Sequence, residues 1–151
     1  TIITRYENAF AAVPLLVSFI PMLMDTGGNC GSQSSTLIIR GLALDEIKFK
    51  DIFRVIFKEF RIALLVGIGL AIANGIRIFI MYKDLKMAIV IALSLSLIVI
   101  IAKIIGCTLP LFAKKLHMDP AIMASPLITT VVDTCSIMIY FSIATRVFTL
   151  S

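Results

Sequence analysis

Long apolar runs separated by short polar segments extend along the whole chain. Runs with few or no charged residues cover positions 4–24, 62–82, 87–113 and 119–146. A helix rises 1.5 Å per residue, so about 20 apolar residues cross the hydrocarbon core of a bilayer. The pattern therefore predicts an all-α integral membrane protein, a helical bundle with about four spans that forms a single transmembrane domain over residues 1–151.

Two polar segments separate the first two runs. Residues 25–36 are rich in Gly and Ser, which is typical either of a plain loop or of a membrane helix interrupted at an ion site. Residues 40–61 place Ile52, Val55 and Glu59 at helical spacing with Lys and Arg between them, which predicts an amphipathic connecting helix at the membrane surface. This segment is richer in basic residues than the opposite side, so the positive-inside rule places it in the cytoplasm.

The composition agrees with a membrane protein. Hydrophobic residues make up 60% of the chain, and the mean hydropathy is +1.06, whereas soluble domains are about 45–50% apolar. The formal net charge of +5 comes largely from basic residues at the predicted membrane edges, so it indicates lipid headgroups and no nucleic acid. The sequence shows no phosphate loop, nucleophile–base pair or Cys/His metal cluster, so we do not expect an enzyme.

One carboxylate lies inside the last apolar run. On a helix, Asp133 shares a face about 80° wide with four polar residues, Ser125, Thr129, Ser136 and Tyr140. An aspartate at the centre of a membrane helix costs about 2.5–3.5 kcal/mol on insertion scales, so a purely structural helix has little reason to carry it. We interpret this stripe as the wall of an ion path, with Asp133 as its cation site.

The first run carries a second polar stripe. Pro14 and Pro21 predict a kinked helix, which membranes tolerate where protein or a water-filled cavity satisfies the freed backbone. Pro14, Ser18, Pro21 and Asp25 fall within about 60° of one another. The residues alone leave two interpretations open, a second wall of the ion path or prolines that only aid packing.

Lys103 is the one charged residue well inside the third run. Its long side chain can reach the membrane surface, or it can meet a carboxylate such as Asp25 across the bundle. The sequence leaves both possibilities open.

The motifs on these segments resemble those of the membrane domain of the MgtE family of magnesium transporters. The resemblance covers essentially the whole chain, and it rests on residues 27–43 (GGNCGSQSSTLIIRGLA), Gly106 to Pro110, Asp119-Pro120-Ala121, Ser125-Pro126, Thr129-Thr130, Asp133 and Tyr140-Phe141.

The resemblance implies a fold and an assembly. Members form homodimers of five-helix subunits in the plasma membrane, with the ion pore at the dimer interface. The pore walls correspond to the first and last spans of this chain. The family's first helix should precede Thr1, and the cytoplasmic regulatory domains through which many members sense Mg²⁺ should also lie outside residues 1–151.

The resemblance also implies an ion site. Asp133 and its symmetry mate should hold a hydrated Mg²⁺, supported by Ser125 and the Thr129 carbonyl. The pore-facing loop should contain Gly27, Gly28 and Asn29.

This chain departs from the family pattern at two charged positions. Asp25 adds a second carboxylate near the glycine loop and so becomes a further candidate metal ligand, and Lys103 replaces an uncharged residue.

The resulting hypothesis is passive or ion-coupled transport of divalent cations, Mg²⁺ first. Transport of Mn²⁺, Co²⁺ or Zn²⁺ and sodium-coupled Mg²⁺ exchange are alternatives within the same class. A non-transporting membrane scaffold subunit, with Asp133 paired to a partner's Lys or Arg, is an alternative of a different class. An intramembrane enzyme is a further one, but it lacks a catalytic pair.

Overall fold

The computed structural model of the protein describes residues 14–123 and 125–149. All regular elements in these two ranges are helices, which confirms the all-α part of the predicted fold class. The helices are α1 (Pro14–Val17), α2 (Ile20–Ala43), α3 (Ile52–Tyr82), α4 (Leu85–Lys115) and α5 (Ser125–Thr149), and 3-10 turns at Phe49–Asp51 and Pro120–Met123 precede α3 and α5.

Three helical segments in these ranges are long and apolar enough to cross a membrane: Phe49–Tyr82, Leu85–Lys115 and Pro126–Phe148. The α2 helix has 24 residues, but it falls outside this group because its middle is polar. Hydropathy therefore identifies three of the four predicted spans. The α4 helix is the most buried of the three and packs against α2, α3 and α5, so it forms the centre of the bundle.

The break between α1 and α2 lies beside the second proline. Pro21 has no backbone N–H, and the helix is interrupted at Ser18 and Phe19. The Leu16 carbonyl next to this break accepts hydrogen bonds from the Phe19 N–H (3.2 Å) and from the buried Tyr140 hydroxyl (2.7 Å). The bundle thus satisfies the backbone at the kink from within, as a low-dielectric setting requires.

The prediction that residues 25–36 form a loop or interrupt a helix is wrong, because this segment lies in the middle of the continuous helix α2. No glycine in the described ranges has a positive φ. The Thr26 and Thr36 hydroxyls donate to the carbonyls of Met22 (2.8 Å) and Ser32 (2.9 Å), one turn earlier in the same helix. The glycines therefore serve close packing and not a special backbone conformation.

The α2 and α4 helices approach each other closely at two glycines. A Cβ on Gly106 would collide with the Gly31 carbonyl oxygen. Gly31 also faces α5, where an added methyl would lie 3.0 Å from Ile128 Cγ2 and 3.1 Å from Val132 Cγ2. The absence of side chains at these two positions lets α2 lie directly on α4 and α5.

The predicted separate amphipathic helix over 40–61 also differs from the structure. The α2 helix continues to Ala43, a short connection follows, and α3 then runs unbroken from Ile52 to Tyr82. No proline or glycine lies between positions 52 and 66, so nothing in the sequence stops the helix at the membrane edge. The amphipathic character is present in the first turns of α3, where Val55 is buried and the basic residues Arg54 and Lys58 are exposed.

A buried ion pair joins the three helices α2, α3 and α4. Lys103 Nζ lies 3.4 Å from Glu59 Oε2 and donates to Ser34 Oγ at 3.1 Å, and Ser34 Oγ donates to Glu59 Oε2 at 2.6 Å. Lys103 thus meets a carboxylate across the bundle, as one of the two alternatives predicted. The carboxylate is Glu59 and not Asp25, so the suggested pairing with Asp25 is wrong.

The glycine crossing gives a prediction. Gly106→Ala should lower the melting temperature of the purified protein, because the added methyl forces α2 away from α4; overpacking of this kind costs about 1–3 kcal/mol. Gly69→Ala is the matched control, since Gly69 is a helical glycine on α3 with no atom within 4 Å of an added methyl. A Gly106→Ala protein as stable as the Gly69→Ala protein would show that α2 and α4 are not in close contact.

Candidate ion pathway

The Asp133 carboxylate lies where α5 meets the glycine face of α2. A methyl group on Gly28 would lie 3.6 Å from Asp133 Oδ1 and 3.3 Å from Thr129 Cγ2. Asp133 itself is half-buried, and Gly28 is buried beneath it. The structure therefore brings three of the predicted site residues, Gly28, Thr129 and Asp133, into direct proximity.

No protein cation neutralises this carboxylate in the part of the chain that the structure describes. Among residues 14–123 and 125–149, the ion pair that forms is Lys103–Glu59, and no hydrogen bond is donated to Asp133. Lys103, the one buried basic side chain among the described residues, thus pairs with a different carboxylate. The negative charge of Asp133 has no internal counter-charge within these ranges.

The α2 helix presents a continuous exposed polar face beside this site. Exposed polar residues recur along the helix at Asp25, Asn29, Gln33 and Thr36. Because Pro14, Ser18 and Pro21 are also exposed, the predicted stripe that ends at Asp25 lies on the surface of the protomer and continues through Asn29.

The predicted stripe along α5 divides into two parts. Ser136 is buried and donates to the Val132 carbonyl at 2.7 Å, while Tyr140 is buried against α1. A helix face 80° wide is broad enough for one edge to pack in the core while the other borders the surface. The interpretation of Ser136 and Tyr140 as part of an ion-path wall is therefore wrong, and Thr129 and Asp133 remain.

Other predicted site residues have separate positions. Gly27 is buried between α4 and α5, where an added methyl would lie 2.8 Å from both Ile98 Cγ2 and Ser136 Oγ, so it packs helices together and does not face Asp133. Asn29 is exposed. The Ser125 side chain lies outside the described residues, and the Thr129 hydroxyl donates to the Pro126 carbonyl at 3.0 Å.

The sequence analysis did not predict that Glu59 is buried, because it placed the whole segment 40–61 at the membrane surface. The signal was present in the spacing. Glu59 follows Ile52 and Val55 on the apolar face of the helix, where a carboxylate needs a buried partner. Lys103, the unexplained charge in the next run, is that partner.

Comparison with known proteins decides the class. The family profile of the MgtE divalent cation transporters matches residues 20–143, which is most of the chain. The chain belongs to the MgtE family. The match includes α2, α3 and α4 in full and α5 through Ile143, so it covers the helices around Asp133 and the buried ion pair.

Three curated relatives carry the name magnesium transporter MgtE. The protein from Bacillus subtilis is 40% identical over 145 residues, the one from Thermus thermophilus is 37% identical over 144, and the one from Enterococcus faecalis is 31% identical over 144. Each match covers 95–96% of this chain and 32% of the relative. The chain thus spans about a third of the length of these relatives.

Family membership and the apolar helices agree on the broad class. MgtE is a family of transporters and not of enzymes, and three helices of this chain are suited to a membrane. The chain is therefore a membrane protein from a family of divalent cation transporters. The family resemblance seen in the sequence motifs is confirmed.

The unneutralised carboxylate gives a prediction about stability. Asp133→Asn should raise the melting temperature in Mg²⁺-free buffer by a few degrees, because it removes a half-buried charge without changing the volume of the side chain. Asp45→Asn, which makes the same chemical change at an exposed position with a left-handed backbone that Asn tolerates, should leave it unchanged. A lower melting temperature for Asp133→Asn would mean that the carboxylate makes a stabilising contact in the protein.

Proposed function

We propose that this chain forms the pore domain of a Mg²⁺ transporter in the plasma membrane and that Asp133 is the carboxylate that binds the ion. The observation that carries the proposal is an aspartate at a helix contact in an apolar bundle, unpaired within the described ranges, beside the exposed polar face of α2. A carboxylate kept there at an energetic cost is typical of a substrate or ion site in membrane proteins. The names of the relatives point to the same ion.

The charge of the site favours a divalent ion. At about 5 Å and an effective dielectric constant near 20, one carboxylate attracts a divalent cation by roughly 7 kcal/mol, twice the value for a monovalent cation. Mg²⁺ gives up its water reluctantly, so the carboxylate would hold it through its first hydration shell.

A second copy of the chain would complete the path. The polar face of α2, with Asp25 and Asn29, is exposed in the protomer, although lipid cannot satisfy polar groups. Two protomers around a twofold axis would place two such faces and two Asp133 carboxylates opposite each other. A cation between the carboxylates would relieve their repulsion, which ties ion binding to the dimer.

The ends of the helices suggest an orientation. Arg54, Lys58 and Arg61 near the start of α3 lie at the same end of the bundle as Lys114 and Lys115 at the end of α4, because α3 and α4 are antiparallel. The positive-inside rule makes this the cytoplasmic end of a multi-pass protein. A membrane potential of 100 mV would then drive a doubly charged ion inward by about 4.6 kcal/mol.

Flux measurements test the proposal. Protein reconstituted in liposomes should take up Mg²⁺, and Asp133→Asn and Asp133→Ala should each reduce the uptake by about tenfold or more, since both remove the charge that attracts the ion. Asp45→Asn should transport like the unmodified protein. Unchanged uptake in both Asp133 variants would refute the role of this residue, and an unmodified protein without any uptake would favour a scaffold.

Competition identifies the ion. If the chain is selective for Mg²⁺, an equal concentration of Mn²⁺, Co²⁺ or Zn²⁺ should reduce Mg²⁺ uptake only weakly, and removal of Na⁺ should leave it unchanged. Strong competition would assign the chain to another divalent ion, and dependence on Na⁺ would assign it to coupled exchange.

A further inference from the structure

The three polar residues at the junction of α2, α3 and α4 form a closed network. Ser34 is fully buried, Glu59 and Lys103 are each about 95% buried, and each of the three contacts the other two. Burying such a pair costs solvation, and apolar residues of the same size often stabilise a protein equally well or better. The network therefore calls for an explanation other than stability.

The network lies on the same helix surfaces as the glycine crossing. Ser34 follows Gly31 by one turn of α2, and Lys103 precedes Gly106 by one turn of α4. The contact between Gly31 and Gly106 holds the two helices at a short distance. Glycines have no side chains that interlock, however, so this contact alone does not fix the height or rotation of α2 on α4.

A hydrogen bond to a fixed charged group removes that freedom. Ser34 both accepts from Lys103 and donates to Glu59, so its oxygen has one position in which both bonds are made. Single buried polar contacts between packed helices are known to fix register at a cost in stability. The network thus sets the height and rotation of α2 against α3 and α4.

The register of α2 matters at the candidate ion site. Gly28 precedes Ser34 by six residues of the same helix, about 9 Å along its axis. Gly28 is the residue that contacts Thr129 and borders the Asp133 carboxylate. A shift or rotation of α2 by a fraction of a turn would move Gly28 away from Asp133 and change the residue that lies opposite the carboxylate.

We propose that Ser34, held by the Lys103–Glu59 pair, is a positioning residue that keeps Gly28 opposite Asp133 and so sets the affinity of the ion site for Mg²⁺. This inference rests on the proposed function, because it assigns Ser34 a role in the site formed around Asp133. It predicts that loss of the Ser34 hydroxyl weakens ion binding at a distance, although Ser34 has no contact with the ion.

The test compares two fully buried serines. Ser34→Ala removes both hydrogen bonds but leaves the ion pair and nearly all of the side-chain volume, so the protein should fold. Ser94→Ala is the matched control, because Ser94 is equally buried on α4 and its hydroxyl has no partner in the described part of the chain. The half-saturating Mg²⁺ concentration is measured from uptake into liposomes and, independently, from the Mg²⁺ dependence of the melting temperature.

The expected result is a rise in the half-saturating Mg²⁺ concentration by about threefold or more in Ser34→Ala, by both readouts, with Ser94→Ala unchanged. The double variant Lys103→Met/Glu59→Met, which replaces the pair with apolar side chains of similar length, should show the same rise. A purely structural role would lower the melting temperature and leave both half-saturation values unchanged, which would overturn the inference.

Failure of the inference is distinguishable from failure of the proposed function. If Asp133→Asn abolishes uptake while Ser34→Ala has unmodified half-saturation values, only the positioning role is wrong. If Asp133→Asn transports normally, the ion site itself is wrong, and the inference is overturned with it.

Discussion

A charge inside an apolar helix bundle needs a counter-charge, and this constraint organises the protein. Two carboxylates in the described bundle differ in whether a neighbouring group compensates their charge. Glu59 is compensated by Lys103 and Ser34 from neighbouring helices, whereas Asp133 has no such partner in that part of the chain. The first arrangement is complete within one protomer. The second has no counter-charge in the described part of the chain, and in the proposed function a divalent cation shared between protomers would supply it.

The α2 helix connects these two carboxylates, because its two faces have opposite properties. Its inner face, with Gly27, Gly31 and Ser34, packs closely on α4 and α5 and joins the Glu59–Lys103 pair. Its outer face, with Asp25 and Asn29, is polar and exposed. A single helix therefore fixes the packing on one side and lines the proposed path on the other, which explains why its hydropathy is lower than that of the other long helices.

The sequence predicted the all-helical fold class well, because that class follows from strong local signals. Long apolar runs predicted the long helices, and Asp133 was recognisable as the one carboxylate inside the last run. The helical state of residues 25–36 was not predictable from composition, since glycine is equally frequent in loops and at close helix crossings. The difference depends on what faces each glycine, which a linear pattern does not contain.

The buried pair shows a second limit. Glu59 lay at an apolar position in the helical repeat and Lys103 inside an apolar run, so each was recognisable as unusual. Their pairing depends on how α3 and α4 align, and that alignment follows from the short turn between Tyr82 and Leu85 together with packing along both helices. Likewise, the burial of Ser136 and Tyr140 on α5 depends on how α1 and α2 pack against that helix, and the sequence pattern does not contain this information.

The most direct test of the central claim is an experimental structure with Mn²⁺ in place of Mg²⁺, in which anomalous scattering locates the ion. The account predicts an anomalous peak on a twofold axis between two protomers, at a distance from both Asp133 carboxylates that leaves room for water. A structure in which Asp133 faces lipid, or pairs with a basic residue of its own chain and has no peak nearby, would contradict it.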